Sequence, residues 1–137
     1  IRIVRGEGAL LWDADGKEFI DGMASLWYCA IGHGRREMAD AVHAQMSTLE
    51  TYSCFDPFTN APADELAATL LSLSPMPEGR VFFCDSGSES VDTAMKLSRL
   101  AHVQAGHAER TLIISRTRGY HGTNYGGTSA QGIAPNR

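Results

Sequence analysis

Lysine is nearly absent from this sequence: Lys17 and Lys96 are the only two in 137 residues. Cysteine is sparse and odd in number, at Cys29, Cys54 and Cys84. Their wide separation gives neither a metal-ligand spacing nor a disulfide framework, so no metal is expected and a reducing, cytoplasmic setting is. No apolar run approaches the ~20 residues of a membrane span, and no signal-peptide pattern is read at the start. A membrane partner is therefore not expected. Net charge is −4 with basic residues unclustered, which argues against nucleic acid. G-x-x-x-x-G-K-[ST], G-x-G-x-x-G and G-x-S-x-G are all missing, which removes the common nucleotide loops and the serine nucleophile elbow.

What is present is a globular composition, 43% hydrophobic, long enough for one domain with its own core. The chain starts at Ile1 and stops at Asn136-Arg137 without a helix-end signal, so a piece of a longer protein is expected.

The most informative stretch is Val81 to Asp92. Val81-Phe82-Phe83-Cys84 reads as a buried strand, followed by a turn of small residues and a helix. Ser86 with Glu89 three residues later fits a capping box. Gly87 and Ser88 then open the helix, where free N–H groups and the helix dipole favour an anion. The helix is expected over about residues 87–104, with Asp92 and Lys96 pairing on its outer face and Gly106 ending it. Thr111 to Ser115 reads as a second buried strand, giving a βαβ unit and a parallel sheet, in which the spacing does not decide whether the two strands are immediate neighbours.

Before this lie a hairpin, with Ala9 to Trp12 and Lys17 to Asp21 around Asp13-Ala14-Asp15-Gly16, and an aromatic stretch at Trp27 and Tyr28. His33, between two glycines, reads as a loop residue. Helices are expected over 35–49 and 64–73, with the aromatic loop 51–60 as a linker. The expected division is 1–57, a small N-terminal α+β segment, and 58–137, the first part of a larger α/β domain.

In a parallel sheet the loops after the strands meet at one edge. That would bring Gly119-Tyr120-His121-Gly122 to Gly87 and Ser88, placing an aromatic ring beside an anion site. Such a pair suits a ligand with a phosphate and a planar ring.

Three segments carry a resemblance. Asp85 to Arg99 closely resembles the phosphate-loop segment of class III aminotransferases, fold-type I enzymes dependent on pyridoxal 5′-phosphate. Gly119 to Gly122 looks like that family's Tyr-His-Gly loop, and Asp21 to Trp27 resembles its N-terminal pocket segment. Asp85 departs from the family's usual Asn. The resemblance implies that Gly87 and Ser88 hold the cofactor phosphate, that Tyr120 stacks on the ring or borders the substrate with His121 nearby, and that Trp27 lines the substrate pocket. It implies amino transfer from an amine or omega-amino acid to a keto acid such as pyruvate, in a homodimer. Another fold-type I activity (aminomutase or decarboxylase) and a non-catalytic phosphate-ligand fragment are the alternatives. A D-S-G-x-x-S phosphodegron match at 85–90 is the kind of short pattern that arises by chance.

This chemistry needs a lysine that forms a Schiff base with the cofactor. Lys17 sits in the hairpin. Lys96 is eight residues past Ser88, about 12 Å along a helix at ~1.5 Å per residue. Neither fits, so the family's lysine is expected outside this stretch, and this stretch alone is expected to be inactive.

Overall fold

A computed structural model describes residues 1–136. The chain forms two compact units, Ile1–Asp64 and Glu65–Arg137.

The first unit opens with an antiparallel sheet in the order β1 (Ile3–Glu7), β2 (Leu10–Asp13), β3 (Glu18–Ile20). The expected hairpin is β2–β3, with Leu10 opposite Ile20 and Trp12 opposite Glu18. Its turn is fixed by Asp13, whose Oδ1 accepts the N–H groups of Asp15 at 3.0 Å and Lys17 at 2.9 Å. This is the side-chain-to-backbone bonding that suits aspartate to turns. The edge strand β1 was not anticipated. It has a bulge between Ile3 and Arg5, and the Arg5 guanidinium lies 3.6 Å from the centre of the Trp12 ring. That stacking supports an edge whose alternation is otherwise weak.

After β3 the chain makes a single left-handed turn, α1 (Ala24–Trp27), and then helix α2 (Arg36–Thr48). Met38, Val42 and Met46 form its apolar side, as their spacing predicts, but remain half-exposed.

Helix α3 (Ala61–Leu73) starts three residues before its expected position. Asn60 Oδ1 accepts the Ala63 N–H at 3.1 Å, so Asn60 caps the helix and Pro62 lies within its first turn. Proline is tolerated there because first-turn N–H groups have no helical partner.

In the second unit α4 runs over Gly87–Gln104, as expected. The Ser86 hydroxyl accepts the Glu89 N–H at 3.2 Å. Glu89 reaches back to the Asp85 N–H at 3.0 Å, one residue earlier than in a reciprocal capping box. The helix ends at Gly106, which has φ +82. A short helix α5 (Tyr125–Ala130) and a 3-10 turn at Ala134–Asn136 follow. Alpha5 was not anticipated, because its Tyr-Gly-Gly-Thr-Ser-Ala sequence is rich in the residues that weaken helices.

Two expectations are corrected here. Residues 81–84 and 111–115, expected as strands, carry no β-ladder among the described residues; whether they are neighbours, a question the sequence leaves open, is answered by the absence of pairing between them. A strand needs a neighbour about 4.8 Å away, and neither segment has one. Leu112 and Ile114 are consequently 91% and 95% exposed. The second correction concerns the core: no apolar side chain is fully buried among the described residues. Apolar runs of the kind that parallel sheets cover on both faces stand uncovered here.

Candidate functional site

The phosphate-type site is built at the start of α4. Neither the Gly87 nor the Ser88 N–H donates to a protein acceptor among the described residues. A Cβ placed on Gly87 would meet nothing within 4 Å, so the side-chain position of Gly87 faces open space. The Ser88 hydroxyl oxygen accepts the Thr123 N–H at 3.0 Å. Its own proton stays available to an outside acceptor or to the Thr123 hydroxyl, 3.4 Å away.

The loop carrying Tyr120 and His121 is seated on this helix end. Gly122 has φ +100, and a Cβ there would lie 2.9 Å from the Ser88 Cα. Only glycine permits that approach. Tyr120, two residues earlier, is 57% exposed. His121 is half-buried, and its carbonyl oxygen abuts Gly127, where a Cβ would collide with it. The structure therefore brings Gly87, Ser88, Tyr120 and His121 into one region of the second unit. The agent is α4 itself rather than a ladder between residues 81–84 and 111–115.

Asp92 is the residue that sequence reasoning placed wrongly. No ion pair to Lys96 forms among the described residues. Asp92 Oδ1 instead accepts the Gly127 N–H at 2.9 Å, and Oδ2 faces the Gly126 N–H at 3.4 Å. Lys96 lines a groove of about 310 Å³ with Phe82, Phe83, Asp85 and Glu89. Farther along, Gln131 is the one fully buried polar side chain among the described residues, 1% exposed.

In the first unit, α1 presents Trp27, 84% exposed. Ala24, Ser25, Leu26 and Trp27 have φ of 48, 50, 58 and 89, a left-handed run without glycine. Each such residue costs roughly 1–2 kcal/mol relative to right-handed backbone. The run is held by Asp21, which accepts the Ser25 N–H at 2.9 Å and the Met23 N–H at 3.2 Å. Asp21 Oδ2 lies 2.7 Å from His33 Nε2, and the Cys29 thiol lies 3.4 Å from His33 Nδ1. The His33 hydrogen bond, with help from the Ser25 and Met23 amides, holds the Asp21 carboxyl below the ordinary 3.8. His33 is thus the far end of a clamp, which its glycine neighbours concealed. The spacing of Asp21 to Met23 and Ser25 was the available signal, since aspartate bonds backbone two residues ahead.

The class-III aminotransferase family matches residues 1–134. The chain is 40% identical over 135 residues to the beta-alanine–pyruvate aminotransferase of Pseudomonas aeruginosa, covering 98% of this chain and 30% of that protein. It is 42% identical to the omega-amino acid–pyruvate aminotransferase of Pseudomonas putida, with the same two coverages. Among solved structures, an (S)-enantioselective omega-transaminase from Thermomicrobium roseum superposes with a TM-score of 0.92 at 42% identity, covering 99% of this chain and 30% of its own. A transaminase from the marine bacterium Virgibacillus gives 0.93 at 40% identity, covering 99% and 31%. This chain belongs to the class-III aminotransferase family, and its structural neighbours are fold-type I transaminases. It spans about 30% of the length of the curated relatives it matches.

Proposed function

We propose that this chain is the part of a pyridoxal-phosphate-dependent transaminase that binds the cofactor phosphate, in an enzyme moving an amino group from an amine or omega-amino acid to pyruvate. One observation carries the reading: the Gly122–Thr123 end of the Tyr120 loop packs against Ser88 at the start of α4, beside two amides that have no protein acceptor among the described residues. The donor set suits a phosphate dianion, with two free N–H groups, a hydroxyl and the helix dipole. Gly87 and Ser88 grip that phosphate, Tyr120 lies against the ring or the substrate, and His121 supports it. Trp27 belongs to the wall of the substrate pocket in the complete enzyme. When bound, pyridoxal 5′-phosphate supplies the carbonyl that receives the amino group and a ring that withdraws electrons from the bond to be broken.

The division near residues 57 and 58, the homodimer and the cytoplasmic setting belong to the same reading. Three dispersed free cysteines support the last of these. Residues 1–137 alone are inactive, because Lys17 and Lys96 are both badly placed for covalent work. The Lys17 ammonium sits 5.1 Å from the Phe19 ring centre in the hairpin.

The test uses the full-length protein. Stripped of cofactor, it regains a visible absorbance band on adding pyridoxal 5′-phosphate, and then converts pyruvate to alanine with an omega-amino acid as donor. Turnover without any keto acid would point to a decarboxylase or aminomutase instead. Retained cofactor affinity with no amino transfer would leave only the binding function.

A further inference from the structure

We propose that Asp92 is a positioning residue for the cofactor loop, holding from the second turn of α4 the backbone that carries Tyr120 and His121. The proposal rests on the pyridoxal-phosphate reading above.

The geometry begins with α5. Its first-turn amides need acceptors, yet its own N-cap residue, Asn124, makes no side-chain cap bond. Asp92 supplies the acceptors from 34 and 35 residues away, with Oδ1 2.9 Å from the Gly127 nitrogen and Oδ2 3.4 Å from the Gly126 nitrogen. A carboxylate at a helix start is favoured by hydrogen bonding and by the dipole together.

The contact leaves little slack. A Cβ on Gly126 would come within 2.8 Å of Asp92 Oδ1, and one on Gly127 would overlap the His121 carbonyl oxygen. Gly127 is therefore pressed between Asp92 and His121, so a shift of the Asp92 anchor moves His121 as well. Ser88 lies four residues before Asp92, on the neighbouring stretch of the same helix face, and holds the Thr123 N–H at 3.0 Å. The loop is thus fastened at two successive rungs of α4. Ser88 also faces the phosphate, whereas both oxygens of Asp92 are committed to the loop. Asp92 acts through the loop and does not itself touch the ligand.

The experiment compares Asp92→Ala, Asp92→Asn and a control, Leu100→Ala, in the full-length protein. Two readouts are taken: amide hydrogen exchange over residues 119–128 without cofactor, and pyridoxal 5′-phosphate affinity with the visible circular dichroism of the bound cofactor. Asp92→Ala is expected to speed exchange at Gly126 and Gly127 and to weaken cofactor affinity by about tenfold or more, the scale of losing charge-assisted hydrogen bonds. Asp92→Asn keeps one acceptor and falls between Asp92→Ala and wild type. If Asp92→Ala does not fold, Asp92→Asn carries the test. Leu100→Ala lowers the melting temperature without changing either readout. Unchanged exchange at Gly126 and Gly127 in both Asp92 variants overturns the anchor. Faster exchange with unchanged affinity and dichroism overturns the positioning role. A wild-type protein that binds no pyridoxal 5′-phosphate overturns the functional reading and the positioning role with it, while the exchange result still reports whether the anchor exists.

Discussion

Two segments of this chain present an aromatic side chain on unusual backbone, and they are held by opposite means. The left-handed turn under Trp27 is secured from nearby: Asp21 bonds residues two and four positions ahead and meets His33 twelve positions on. The loop under Tyr120 is secured from afar, by Ser88 and Asp92 at separations of 34 and 35. The first solution tolerates strain and offsets it with the hydrogen bonds of Asp21 to His33 and to the Met23 and Ser25 amides. The second places glycine at Gly122, where φ is +100, keeps one strained residue at Arg118, φ 64, and depends on close approach. Conformational strain that persists at such a place is a mark of function when the surroundings over-determine it, and Asp21 and His33 do so here.

The largest expected effect comes from breaking the close approach. Gly122→Ala and Gly127→Ala, each driving a Cβ into backbone, should destabilise the full-length protein by about 3 kcal/mol and abolish cofactor retention. Thermal unfolding and visible absorbance check both. Gly87→Ala sharpens the contrast, because its added methyl meets no atom of the chain. The cofactor-free protein should keep its melting temperature, while inorganic phosphate and pyridoxal 5′-phosphate bind more weakly by about tenfold, for steric reasons at the anion. An equal loss of stability in the two classes of glycine variant would contradict the division between structural and ligand-facing glycines.

On the other side of the comparison, acid should release the Trp27 turn. The folded-state carboxyl of Asp21 titrates below its ordinary 3.8, so its stabilising contribution is present above that value. It is lost as pH falls through the lower folded-state value. Trp27 fluorescence in the wild type should change in that acid window, and in Asp21→Asn the acid-linked part should be missing. The smallest effect is expected at Leu26, with φ 58. Leu26→Gly should leave stability unchanged or raise it by up to about 1 kcal/mol. The same change at Leu97, inside right-handed α4, should lower it by about 1 kcal/mol. Calorimetry of the two variants side by side tests whether the turn is strained.

Much of the local structure was legible. Asp13-Ala14-Asp15-Gly16 announced its turn, Ser86 and Glu89 announced the start of α4, and Gly106 its end. These features are made by residues within four positions of each other. The edge strand β1 and helix α5 were not legible, because neither has a strong propensity of its own. One leans on Arg5 stacked over Trp12, and the other on a distant carboxylate.

The sequence by itself determined helices α2, α3 and α4, the β2–β3 hairpin, the open amides at Gly87 and Ser88, and family membership. All of these follow from short-range hydrogen bonding or from motifs read in order. Only the tertiary structure decided that Asp92 bonds Gly126 and Gly127 instead of Lys96, and that His33 closes on Asp21. It also decided that residues 81–84 and 111–115 are not paired neighbours. A carboxylate on a helix has an obvious candidate partner one turn along. Two unbonded amides brought up by a glycine loop offer it better hydrogen bonds, and nothing in linear spacing reveals that they will arrive.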